Sequence, residues 1–181
     1  RRDQGDRRGA ERELRQILHQ RPTQIEALQL MSLVLLEQGR GSAAETLVKT
    51  AFGASLKPPL KPEAMDQGLL LAEVQHRRGL PAAAEATYRQ LRGLFPGDPR
   101  PSLGLALLRR KEGNLKGALE ALDQARQLGG IDAVNQAALD RLASSWRLKA
   151  LRLPPPKAGA TSPPGSPTTS RPGDGSELPA P

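Results

Sequence analysis

The side chains able to trade a proton near neutral pH are His19 and His76, and neither stands among the neighbours that catalysis needs. His19 leads into Gln20, Arg21 and Pro22 at what reads as a helix end, where an imidazolium suits the negative end of the helix dipole. His76 is flanked by Gln75, Arg77 and Arg78, an amide and two cations with no carboxylate among them. The chain has no cysteine, hence no thiol nucleophile, thiolate metal site or disulfide framework. Phosphate-loop, HExxH, EF-hand and GxSxG patterns are missing, and carboxylate pairs such as Glu11 with Glu13 read as solvated helix residues. The expectation is a protein that is not an enzyme and uses no metal or cofactor.

Charge and composition narrow what remains. The 181 residues carry 27 Lys and Arg against 19 Asp and Glu, a formal charge of +8, with only Phe52, Phe95, Tyr88 and Trp146 as aromatics. A basic surface of this kind suits an acidic partner or a phosphate backbone. Positive clusters occur at Arg7-Arg8, Arg77-Arg78, Arg109-Arg110-Lys111 and from Arg147 to Arg152. Most sit near expected helix ends, where cations are locally favoured, and the aromatic platforms of single-strand binders are scarce. Nucleic acid is therefore disfavoured, and a protein or peptide partner preferred. No stretch reaches the roughly 18 to 20 apolar residues of a membrane span. The chain opens on Arg1 in a polar run, so it is expected to be a piece of a longer protein, and an anchor could stand ahead of Arg1. The compartment stays open.

From Pro154 the composition shifts: of residues 154–181, nine are Pro and four Gly, and Leu178 is the only large apolar side chain. Such a segment cannot offset an ordering entropy of about 1–2 kcal/mol per residue, so a disordered spacer is expected. It includes a PxxP pattern at Pro164-Gly165-Ser166-Pro167 and Ser-Pro pairs at Ser162 and Ser166, which arise readily in such a composition.

The elements that would have to position any site emerge from the glycines. Gly5, Gly39, Gly79 and Gly113 recur at intervals of 34, 40 and 34, each followed five residues later by Ala10, Ala44, Ala84 and Ala118. A large residue stands four beyond each Ala, at Leu14, Val48, Tyr88 and Leu122, and Ile17, Ala51, Leu91 and Ala125 follow three further on. Between the glycines run amphipathic helices: from Ile25 to Leu36 apolar residues recur at steps of three and four. A Gly past the last turn takes a left-handed conformation at little steric cost and reverses the chain, and a small Ala lets the next helix approach closely. Pro62, Pro81 and Pro101 stand where helices would start. The longer second interval is assigned to a loop from Gly53 to Pro62.

A 34-residue helix–turn–helix with these registers resembles the tetratricopeptide repeat over about residues 5 to 130. The aromatic most common at the fourth position of that motif is replaced by Leu28, Gly68 and Ser102, while the small eighth position is kept as Ser32, Ala72 and Ala106. The expected fold is all-α: a solenoid with a half repeat at about 5–22, repeats at about 23–57, 63–97 and 98–130, a capping helix at 131–153 and a tail at 154–181. The half repeat would leave part of its apolar stripe uncovered, with Leu14, Ile17 and Leu18 packing on the next unit. The cap reads from Ile131 through Val134, Ala138 and Leu142 to Leu151, with Trp146 packed under the last repeat.

The resemblance also implies a groove lined by first helices. Carrying its register over residue by residue gives Gln29, Leu33, Leu36, Leu69, Glu73, His76, Leu103, Leu107, Arg110 and Lys111 as partner-binding, with Glu26, Glu37, Asp66, Arg77 and Arg100 in the same register. Members that clamp a C-terminal carboxylate use Lys and Asn where Gln29, Leu33, Leu69 and Glu73 stand here, which disfavours that ligand. The expected function is a non-enzymatic protein-interaction scaffold holding an extended or helical segment in the groove; the alternative is an RNA-associated helical repeat using the basic surface.

Overall fold

A computed structural model describes residues 2–152, with the side chains of residues 2–5, 7, 133 and 134 excepted. The expected tail at 154–181, its PxxP and Ser-Pro patterns, and the placement of the Arg7 and Val134 side chains therefore lie outside the described residues. Among the described residues eight helices follow one another: α1 (Arg2–Gln20), α2 (Ile25–Glu37), α3 (Gly41–Leu56), α4 (Glu63–Arg77), α5 (Pro81–Leu94), α6 (Arg100–Lys111), α7 (Leu115–Leu128) and α8 (Ala133–Arg152). Each packs on the next, and α2, α4 and α6 also touch in series, so that the first helices of successive units form a stack of their own.

The turn chemistry repeats three times. Gly39, Gly79 and Gly113 take φ values of 74°, 75° and 80°. The N–H of the following residue donates to a carbonyl five residues back, Arg40 to Leu35 at 2.8 Å, Leu80 to Gln75 at 2.9 Å and Asn114 to Arg109 at 2.9 Å. These bonds satisfy carbonyls that a helix end leaves open. Ala44, Ala84 and Ala118 are then fully buried where the second helix closes on the first. Gly5 departs from the pattern. It lies inside α1, which starts at Arg2 rather than near Asp6, and Ala10 is exposed, because no described helix packs against that side. The lengthened connection is also shorter than expected: α3 runs on to Leu56, since nothing interrupts it before Pro58, Pro59 and Pro62. α7 and α8 start on side-chain caps, Asn114 accepting from Gly117 N–H and Asp132 from Asn135 N–H, each at 2.9 Å.

Two contiguous apolar clusters result. One joins α1 to α5 around Leu28, Val48, Phe52, Met65 and Leu91; the other joins α6, α7 and α8 around Leu105, Leu122 and Trp146, and includes Ala72 and Ala84. Trp146 is buried beneath α8, packing under the last pair of helices. Gln67, wholly buried on α4, donates to the Thr23 carbonyl at 3.1 Å and ties the α1–α2 turn to the next unit.

Six residues beyond the glycine register, a carboxylate recurs at Glu11, Glu45 and Glu85, and each reaches the first helix of the following unit or its end. Glu11 accepts from Gln38 and Arg40 at 3.0 Å; these bonds, Gln38's first, hold its carboxyl below the ordinary range. Glu45 accepts from Gln75 at 3.3 Å and pairs with Arg78, while the buried Thr87 hydroxyl donates to the Gln75 side-chain Oε1 at 2.7 Å. Glu85 accepts from Arg109 at 2.7 Å, a bond that also depresses its carboxyl.

Candidate functional site

Because α2, α4 and α6 are side by side, the residues on their shared outer face are brought into one trough. Its main recess, of about 570 Å³, is lined by Ile25, Glu26 and Gln29 of α2, by Asp66, Leu69, Leu70, Glu73 and His76 of α4, and by Gly104, Leu107, Leu108 and Lys111 of α6. A smaller recess of about 200 Å³ adjoins it between α2 and α4, lined by Leu33, Leu36 and Arg77 among others, and sharing Gln29, Leu70 and Glu73. A third, of about 530 Å³, opens at the helix starts around Thr23, Glu63 and Asp66.

Of the residues expected from the repeat register, Gln29, Leu69, Glu73, His76, Leu107 and Lys111 line the main recess, and Leu33 and Leu36 the smaller one. Leu103 and Arg110 line neither. Leu103 folds onto the second apolar cluster, and Arg110 is half-buried at the end of α6. Leu33 and Leu107 are exposed on the trough floor.

Tyr88, Ile25, Leu70 and Leu108 were not anticipated as lining. Tyr88 is the informative one, since it belongs to a second helix and still reaches the trough. Its ring occupies the space that a side chain at Gly104 would fill: a Cβ there would lie 2.7 Å from the ring's Cζ. Burial, followed by the negative charge of Glu73, raises the phenol above its usual range and keeps it a neutral hydrogen-bonding group at physiological pH. The sequence signal was an aromatic in the packing register followed by a glycine on the next first helix.

The polar rim is internally paired along part of its length. Arg100 bridges Asp66 at 2.9 Å and Asp98 at 2.8 Å, and Arg77 meets Glu73 at 2.7 Å. Hydrogen bonds from Arg100 hold the Asp98 carboxyl down. Among the described residues no group of three or more His, Cys, Asp or Glu side chains is placed to hold a metal ion. Also among the described residues, no helix is long and apolar enough to cross a membrane. What the trough offers is contact area: leucines and a tyrosine for apolar groups, with an amide, carboxylate, imidazole and ammonium between them.

A family model for the tetratricopeptide repeat matches residues 1–57, and a second with the same description matches residues 30–99 and 69–138. The chain belongs to the tetratricopeptide repeat family. Members of this family typically mediate protein–protein interactions and act as scaffolds or chaperones rather than as enzymes. The fold agrees with the crystal structure of PcrH from Pseudomonas aeruginosa, at a TM-score of 0.51 and 20% identity over 71% of this chain and 92% of that one. PilF of Pseudomonas aeruginosa is similar at 0.49 and 24% identity, over 78% of this chain and 66% of that one. MamA from Desulfovibrio magneticus RS-1 is similar at 0.48 and 18% identity, over 83% and 86%. No curated protein matches the chain in sequence.

Proposed function

We propose that this tetratricopeptide array is a non-enzymatic scaffold that captures a segment of another protein in the trough between α2, α4 and α6. The segment, extended or helical, lays one apolar face on Leu33, Leu36, Leu69 and Leu107. Gln29, Glu73 and His76 set its register, and Lys111 with neighbouring Arg110 provides a positive end. The observation that carries this reading is the exposure of Leu33 and Leu107 on the floor of a recessed, partly polar trough, where solvation of apolar surface is relieved by a ligand. Leu103, folded onto the second cluster, is left out of this contact surface.

A phosphate backbone would need free cations along the groove and its ends, and there Arg77, Arg78, Arg100 and Arg109 each pair with a carboxylate of the chain. This favours a protein ligand over RNA. The test is a peptide-display selection against the whole chain, with selected peptides titrated against a Leu33→Ser/Leu107→Ser variant. Both leucines are exposed, so helicity by circular dichroism stays unchanged while affinity falls at least tenfold. Undiminished binding rejects the trough. Tight single-stranded RNA binding that declines steeply with salt and ignores the leucine changes supports the RNA alternative.

A further inference from the structure

The recesses of the trough are ordered along the seam between α2 and α4. On the α2 wall their lining passes from Glu26 through Gln29 to Leu36, and on the α4 wall from Glu63 through Leu69 to Arg77. Residue numbers rise together on both walls, so the two helices run in the same direction and the depression follows their axes. Neighbouring recesses share residues, Glu26 and Asp66 at one step, Gln29 and Glu73 at the next, which makes the path continuous. From Ile25 to Leu36 it extends over about three helical turns, or ~16 Å. Leu107 of α6 flanks its middle.

The two ends of the path differ in charge. At the helix starts stand the carboxylates of Glu26, Glu63 and Asp66, and the one cation in that lining is Arg21. Arg100 bridges Asp66, whereas Glu26 and Glu63 are exposed and meet no cation among the described residues. Towards the helix ends the main recess carries Lys111, which meets no carboxylate among the described residues, while Arg77 is held by Glu73. Glu37 lies beyond the recesses and lines none of them. The walls are helices and offer no strand edge on which an extended chain could pair its backbone; a helical occupant satisfies its own.

We infer, building on the trough reading above, that the captured segment is an amphipathic helix of about three turns lying along the α2/α4 seam and antiparallel to both helices. Its apolar stripe rests on Leu33, Leu36 and Leu69, Lys or Arg in its last turn faces Glu26 and Glu63, and Asp or Glu in its first turn faces Lys111. This direction brings the negative end of the occupant's dipole to the positive starts of α2 and α4, and the cations that a helix favours in its last turn to the open carboxylates. A parallel helix would set its first turn, where acidic residues are favoured, against Glu26 and Glu63.

The probes are peptides selected from a random display library on the whole chain and kept when Leu33→Ser/Leu107→Ser releases them. They are expected to carry apolar residues at steps of three and four followed by Lys or Arg, and to gain helical circular dichroism in the complex. A central proline in the peptide should weaken binding roughly tenfold, and Glu26→Lys/Glu63→Lys in the protein roughly fivefold. Direction is read by alkylation. The chain has no cysteine, so Gln20→Cys and Glu37→Cys, both exposed, each place one thiol at an end of the path. A bromoacetyl group on the peptide's C-terminus should modify Gln20→Cys and spare Glu37→Cys, and one on its N-terminus should do the reverse. Inverted or equal alkylation, or binding indifferent to the proline or to the charge reversal, overturns the inference and leaves the trough standing. Peptides that the leucine changes do not release reject the trough reading and this inference with it.

Discussion

The junction between the second and third units and the junction that closes the array at α7 and α8 hold helices together by different means. At the first, Glu45 accepts from Gln75 and pairs with Arg78, and behind it, inside the third unit, Gln75 accepts from the buried Thr87 hydroxyl and Gly68 admits Leu91. At the second, the carboxylate register is filled by Leu119, and the polar links move to the surface as Asp123 with Arg147 at 3.0 Å and Arg126 with Asp140 at 2.5 Å. One large anchor, Trp146, takes over the apolar contact. The contrast teaches that interior units are specified by a shape-and-polar match, whereas the closing helix relies on an apolar face led by Trp146, with Leu139, Leu142 and Ala143 beside it, and on solvated pairs. In a quasi-linear stack that difference should appear as uneven cooperativity.

The largest expected effect is at the closing helix. Trp146→Ala should remove about 3–5 kcal/mol of its docking. Hydrogen exchange should locate the loss in α8 and the adjoining face of α7, with α3 to α5 still protected; uniform loss would show that the two junctions are not separable. Next, Gly68→Leu forces four carbons into the space of Leu91 and should cost about 3 kcal/mol, lowering the whole denaturation midpoint rather than fraying one end. The smallest effect separates the polar links. Glu85 has a depressed carboxyl in the folded state, held first by Arg109, so its contribution is complete above the unfolded value near 4.5 and is lost as pH falls through the folded value. Glu85→Gln should therefore cost about 1 kcal/mol at neutral pH and flatten the acid limb of the stability profile. Asp123→Asn, on the exposed junction, should cost less than about 0.5 kcal/mol.

Much of the architecture was legible because turns depend on local rules. A glycine after an amphipathic run, followed by a small residue, sufficed to place the reversals at Gly39, Gly79 and Gly113, all of which have positive φ. Gly5 obeyed the same spacing and still sits within a helix, since a turn also needs a preceding helix to turn from. The Glu11, Glu45 and Glu85 series was visible as a period but carries meaning only once the next unit is in place to receive it. Candidate lining residues followed the register on α2 and α4 better than on α6. There Gly104 yields its space to Tyr88, and Leu103 turns to the second cluster, a cross-unit exchange that no single-helix pattern encodes.

The most direct measurement replaces Leu107 on the trough floor, and Thr50 on the exposed side of α3, one at a time with a photo-crosslinking amino acid, using a peptide selected on the whole chain. The trough account predicts crosslinks from position 107, and none above background from position 50. Equal yields from both, or crosslinks from position 50 alone, would contradict it.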